Sequence, residues 1–292
     1  MSFAKVQEIV DLAEKEKKLF WQIIIEEDMK ERNVSFEESF ETMRGMYRAM
    51  KDADASYDPE LRSASGMAGG DGEKLARFRQ QQNRLIGDFL TQVMEKAVKM
   101  GESNACMKRI VAAPTAGSCG VLPAVLVTYE EQKSVSEDKI VEALFVAAGI
   151  GEVIATSASI AGAEGGCQAE IGSASAMAAG AVAYLEGGDH ETMMHAMALA
   201  LKNMLGLTCD PVAGLVEVPC IKRNVSGAVN AIISSQMAIA GIRSAIAPDE
   251  VIDSMRRIGK LLPSCLRETG QDGLAVTPSA VQIVKKLREK NF

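Results

Sequence analysis

Histidine is almost absent: the 292 residues hold two, His190 and His195. They stand five positions apart on one helical stretch, so they do not share a face as an i, i+4 metal pair does. This scarcity removes the commonest general base and leaves no Ser-His-Asp set. Aromatic residues are few, at 4%. The apolar mass comes instead from Ala, Met, Gly and Ile, which suits close helix–helix contact better than a β-sandwich. Positive charge is not in excess: a net charge of −7 and a pI near 5.2 argue against nucleic acid and anionic membrane surfaces as partners. No apolar run reaches the roughly 20 residues that cross a bilayer. The longest soft stretch, 143–163, is interrupted by Glu152. Met1-Ser2-Phe3-Ala4-Lys5-Val6 lacks the basic region and apolar core of a secretion signal. A cytoplasmic protein is expected, in which the six cysteines are candidates for metal or catalytic work and not a disulfide framework.

What the chain does have is helical periodicity, with 47% hydrophobic residues to build a core. Val6, Ile9, Val10, Leu19, Phe20, Ile23 and Ile24 recur at helical spacing and predict one amphipathic helix over 2–32, capped by Ser2. Ser35-Phe36-Glu37-Glu38 is a capping box opening a helix to about residue 53. Segment 1–53 therefore reads as a helical arm. A looser stretch, 54–71, follows. Further helices are expected over 73–100 with Gly101 as C-cap, 121–131, 136–148, 151–162, 168–185, 189–205, 226–245, 248–262 and 278–291. The helices over 151–162 and 168–185 are built from small residues that let backbones approach closely. No convincing strand is present, so the expected fold is all-α.

Three stretches carry chemistry. Cys167, Cys209 and Cys220 each lie beside turn residues, Cys167 after Gly165-Gly166 and the others within Cys209-Asp210-Pro211-Val212-Ala213-Gly214-Leu215-Val216-Glu217-Val218-Pro219-Cys220. Their spacing matches neither a zinc ribbon nor the short-spaced ferredoxin run. Three thiolates without a fourth ligand leave one position open, which a Lewis-acid site needs. Cys106 and Cys265 read as small core hydrophobes. Ser63-Ala64-Ser65-Gly66-Met67-Ala68-Gly69-Gly70 offers positive-φ glycines, converging N–H groups and hydroxyls that bind anions. Pro114-Thr115-Ala116-Gly117-Ser118-Cys119-Gly120 precedes a helix whose free N–H groups suit a carboxylate. Ser118 there could equally be a plain helix cap, and spacing leaves Cys119 open as a further ligand. No lysine stands in a context that marks a pyridoxal-phosphate site.

These stretches, with Gly165-Gly166-Cys167-Gln168-Ala169-Glu170-Ile171-Gly172 and Leu266-Arg267-Glu268-Thr269-Gly270, together resemble the iron–sulfur-dependent bacterial L-serine dehydratases, which use no pyridoxal phosphate. The resemblance spans nearly the whole chain. It implies a single catalytic domain over 1–292 with small-residue helices around a 4Fe–4S cluster held by Cys167, Cys209 and Cys220, and no ligand role for Cys119. It implies deamination of L-serine to pyruvate and ammonia, within amino-acid degradation and gluconeogenesis. It places the substrate on Ser63, Ser65, Gly66, Gly69, Gly70, Pro114, Thr115, Ala116 and Gly117. The chain looks like the α subunit of the two-subunit type, so a separate β subunit and a hetero-oligomer are expected. With neither histidine well placed, the general base is expected from that partner. Competing readings are a lyase on a related amino acid such as threonine, a non-catalytic iron–sulfur or zinc protein that senses redox state or scaffolds a partner, and a metal-free helical protein with its cysteines in the core.

Overall fold

The computed structural model describes residues 3–81 and 85–289. Among them are thirteen α-helices and no strand, the all-α class that the patterning predicts. In chain order these are α1 (Val6–Glu16), α2 (Phe20–Arg32), α3 (Phe36–Ala55), α4 (Asp71–Arg79), α5 (Asp88–Ala105), α6 (Val121–Lys133), α7 (Glu137–Ser157), α8 (Gly162–Gly165), α9 (Ser173–Leu185), α10 (His190–Met204), α11 (Cys220–Ile239), α12 (Pro248–Leu261) and α13 (Pro278–Glu289).

The centre is α9. Its residues from Ser173 to Tyr184 are all buried, flanked by α6, α7, α10 and α11. Ala, Gly and Ser on every face make this possible, because no long side chain holds the neighbours off. Helix α7 is long and apolar enough by composition to cross a membrane, but 67% of that window is buried against other helices. Its apolar surface is therefore core.

Several boundaries differ from the sequence reading. The expected helix over 2–32 is two helices, because Lys17 turns into the left-handed region (φ 55°) and the N–H of Lys18 donates to the Ala13 carbonyl. The apolar pattern runs through this break since Ile9 and Ile24 bury into the same core. The proposed cap Ser2 lies outside the described residues, as does the expected end of α13 near residue 291. The stretch 73–100 contains parts of α4 and α5, and Gly101 lies inside α5. A Cβ on Gly101 would sit 3.0 Å from Ile221 Cγ2, so it serves the crossing of α5 with α11 and is not a cap. The helices expected over 136–148 and 151–162 are one, α7. There Gly149 marks close approach: a Cβ would lie 2.5 Å from Ile24 Cδ1. Helix α11 starts six residues before the expected Ser226, so Cys220 occupies its first turn.

The capping box at Ser35 is present. Ser35 Oγ accepts from the Glu38 N–H (3.2 Å) and Glu38 Oε2 accepts from the Ser35 N–H (2.9 Å). Ser35→Ala is expected to lower unfolding free energy by about 1 kcal/mol in urea titrations. An unchanged midpoint would mean that the cap contributes nothing to α3.

Candidate functional site

The cysteines meet where three turns converge. Gly166, at φ +73°, reverses the chain after α8, and a Cβ there would lie 2.7 Å from the Leu207 carbonyl oxygen. The chain then enters a π-turn over Gln168–Gly172 that leads into α9; such turns often mark functional positions. Buried Gln168 ties the surrounding segments together. Its backbone N–H donates to Leu207 O (3.0 Å), its Nε2 donates to Met255 O (3.0 Å), and its Oε1 accepts from the Gly206 N–H (2.9 Å). This places Cys167 against Cys209. Cys209 in turn donates its N–H to Leu266 O (2.9 Å) and accepts from the Glu268 N–H (2.7 Å) in a short parallel bridge.

All three thiols are buried, and Cys167 is hydrogen-bonded to both Cys209 and Cys220. These bonds, helped by the Arg223 guanidinium and opposed by burial, bring Cys167 down to about 3. The bond each makes to Cys167, followed by burial, pushes Cys209 and Cys220 up. The three sulfurs thus act on one another's ionisation. Arg223 is fixed in turn by Thr208 O (2.6 Å) and Asp210 Oδ1 (2.9 Å). Cys119 lies elsewhere. Its thiol donates to Met100 O at 3.7 Å in a small separate apolar cluster, and burial pushes it up to about 12.

Glu170, three positions after Cys167, was given no role from sequence. A carboxylate oxygen of Glu170 and the sulfurs of Cys167 and Cys209 lie within 4.8 Å of one another. Burial first, then the negative Cys167 and Glu268 nearby, outweigh a hydrogen bond from Thr115 and raise Glu170 to about 7. Its quoted motif carried the only available signal, an acidic residue in an otherwise apolar run.

The structure brings the Pro114–Gly117 loop to this carboxylate. Thr115 Oγ1 donates to Glu170 Oε1 (2.7 Å), and a Cβ on Gly117 would come 2.8 Å from the same oxygen. Ser118 does not cap α6; its hydroxyl lies 3.1 Å from Thr115 Oγ1, and Gly120 takes the cap position. Asn224, buried on the first turns of α11, joins this loop to Cys220. Its Nδ2 donates to Gly117 O (2.8 Å) and Cys220 O (3.0 Å), and its Oδ1 accepts from the Gly120 N–H (2.8 Å).

The Ser63–Gly70 loop approaches from the Cys220 side. Ser63 and Ser65 donate to Glu217 Oε2 at 2.8 and 2.7 Å, three residues before Cys220. Gly66, Gly69 and Gly70 all have positive φ, as the anion-nest reading requires. The N–H groups of Gly69, Asp71 and Gly72 converge on buried Glu102 (3.2, 2.9 and 3.1 Å), which also accepts from the Tyr57 hydroxyl (2.6 Å). The loop's donors thus already hold carboxylates, both supplied by the chain itself. His195 is engaged apart from the thiols, accepting at Nδ1 from the Ser244 N–H (3.2 Å).

A family profile for the serine dehydratase alpha chain matches residues 15–275. The chain is 44% identical over 285 residues to a probable L-serine dehydratase alpha chain of Bacillus subtilis, covering 98% of this chain and 95% of that one. It is 39% identical over 282 residues to the L-serine dehydratase alpha chain of Peptoniphilus asaccharolyticus, covering 95% of each. L-serine dehydratase 1 of Escherichia coli is 44% identical over 185 residues, which are 62% of this chain and 40% of that longer protein.

Proposed function

This chain belongs to the serine dehydratase alpha-chain family, and from that premise we propose that it is the cysteine-bearing chain of an L-serine dehydratase. The carrying observation is the meeting of Cys167, Cys209 and Cys220 beside Glu170 and the Pro114–Gly117 loop. Three buried thiols with a guanidinium beside them suit a 4Fe–4S cluster as the donor set. When bound there, such a cluster supplies Lewis acidity for departure of a substrate hydroxyl.

The chain's own residues would do the rest. The Pro114–Gly117 loop, with Pro114, Thr115, Ala116 and Gly117, would orient the substrate carboxylate, while the Ser63–Gly70 loop, whose Ser63, Ser65 and Gly69 donors hold Glu217 and Glu102, would brace the Cys220 side of the site. Glu170, steadied by Thr115, keeps one carboxylate oxygen toward the thiols. Arg223 offsets the charge on Cys167. Loss of the α-proton and the β-hydroxyl removes water and leaves aminoacrylate. Its imine tautomer takes up water, so that L-serine becomes pyruvate and ammonia. The alpha-chain naming of the relatives implies a separate β chain, and we assign the α-proton base to it.

Anaerobic co-expression with candidate partner chains, followed by iron and sulfide analysis and pyruvate formation from L-serine, tests this reading. The loaded alpha chain alone is expected to turn over at a small fraction of the rate of the pair. Full activity without a partner would sink the assignment of the base. Zinc in place of iron, or no pyruvate from the pair, would sink the dehydratase reading itself.

A further inference from the structure

Glu268 stands opposite Glu170 across the floor formed by Gly162. The position that a Cβ on Gly162 would take lies 2.9 Å from Glu170 Oε2, 3.2 Å from Glu268 Oε2 and 3.4 Å from Cys209 Sγ. Two carboxylates and a thiol therefore surround one small space, which glycine keeps open. Among the described residues neither carboxylate forms an ion pair with Lys, Arg or His, and Glu170 has only the Thr115 hydroxyl as its hydrogen-bond partner.

The placement of Glu268 is imposed by the thiol loop. Its backbone lies in the left-handed region at φ +62°, a conformation that costs a non-glycine residue and persists where surroundings enforce it. The enforcing contact is the bond from the Glu268 N–H to the Cys209 carbonyl. The side chain is thereby directed toward Gly162 and Glu170.

We infer that Glu268, with Glu170 facing it, holds the α-ammonium of the amino-acid substrate. This rests on the dehydratase reading and extends it to how the substrate is chosen. Two close carboxylates without a protein cation repel each other, and a compact ammonium with three N–H donors satisfies both at once. A hydroxy acid with the same hydroxyl and carboxylate but no amine leaves them uncompensated. With the ammonium at Gly162, the neighbouring β-carbon and its hydroxyl would fall beside Cys209, and the substrate carboxylate would point to the Pro114–Gly117 loop. Glu268 is therefore a specificity-determining binding residue, and the α-amine is the feature it reads.

The test compares wild type, Glu268→Gln and Glu268→Asp, each loaded anaerobically and assembled with its partner chain, with matched iron and sulfide content. Steady-state kinetics with L-serine are run beside equilibrium dialysis of labelled L-serine, and 3-hydroxypropanoate serves as the amine-free inhibitor. Loss of one charge-assisted bond predicts that Glu268→Gln raises KM and the dialysis constant for L-serine about 10- to 100-fold. The kcat should move less than about threefold, as removal of uniform binding requires. The inhibition constant of 3-hydroxypropanoate should stay within about twofold, because it makes no contact to lose. Glu268→Asp, keeping the charge on a shorter arm, should fall between the two. Equal weakening of both ligands would mark a structural role and overturn the inference. So would a fall in kcat at unchanged KM, or no change at all. Failure of the wild-type enzyme to act on L-serine would strike the dehydratase reading, while L-serine dialysis against wild type and Glu268→Gln would still decide whether Glu268 reads the amine, equal binding overturning it.

Discussion

Cys209→Ala is expected to emerge from anaerobic loading without iron or sulfide and to form no pyruvate from L-serine above background. The reason is geometric. Cys209 contacts Cys167, lies within 4.8 Å of the Glu170 carboxylate, and is the point where the thiol loop is tied to the segment carrying Glu268. Alanine leaves two thiols, and no neighbouring cysteine can replace the third. Cys119 is bonded to Met100 O in a separate apolar cluster, and Cys265 faces Asp272 at 3.7 Å. Cys106→Ala is the matching control. Cys106 sits at the C-terminal cap of α5, where burial raises its thiol, and its removal should leave loading and turnover unchanged. Iron content, sulfide content and visible absorbance are the readouts. An intact cluster in Cys209→Ala would refute the ligand assignment.

Glu102→Ala is expected to cost about 3 kcal/mol of unfolding free energy, from the loss of bonds to a buried charge. It should also open the 57–72 segment to trypsin at Arg62. Glu102 is 1% exposed and receives three backbone N–H groups and the Tyr57 hydroxyl. The protonated Tyr57 is itself maintained by burial and then by this bond. Removing the carboxylate leaves four donors facing a void that solvent must enter. Glu102→Gln keeps one acceptor oxygen and should lose less. Urea titration gives the energy, and an unchanged slope shows that the same surface is exposed on unfolding. Near-wild-type stability together with protease resistance would show that the glycine loop holds its own shape.

The cysteines could be picked out from sequence because each stands beside a turn residue, Gly166, Asp210 or Pro219, and not on a helix's apolar stripe. The contacts that complete the site could not. Asn224 acts on residues about a hundred positions away, Glu217 on serines more than 150 away, and Glu268 on the carbonyl of Cys209. No periodicity encodes such pairings. Glu170 was visible as an acidic residue among small ones, but its placement against Thr115 depends on the π-turn that redirects the chain after Cys167. The helical class followed from pattern alone. The breaks did not, for opposite reasons at two places. At Lys17 the apolar spacing continues across a real turn, because both helices enter one core. At Gly149 and Gly151 glycines that look like breakers sit inside α7, where they admit Ile24 and Met177.

The bond between Cys209 and Glu268 also sets an order in time. The parts of the site are strung along the chain from Ser63 to Glu268, and Glu268 is the last of them to be made. While the ribosome is still short of Glu268, Cys209 lacks the backbone bonds to Leu266 and Glu268 that pin it. On the proposed ligand set, loading of these sulfurs is therefore expected to follow synthesis of the chain through Glu268 and not to precede it.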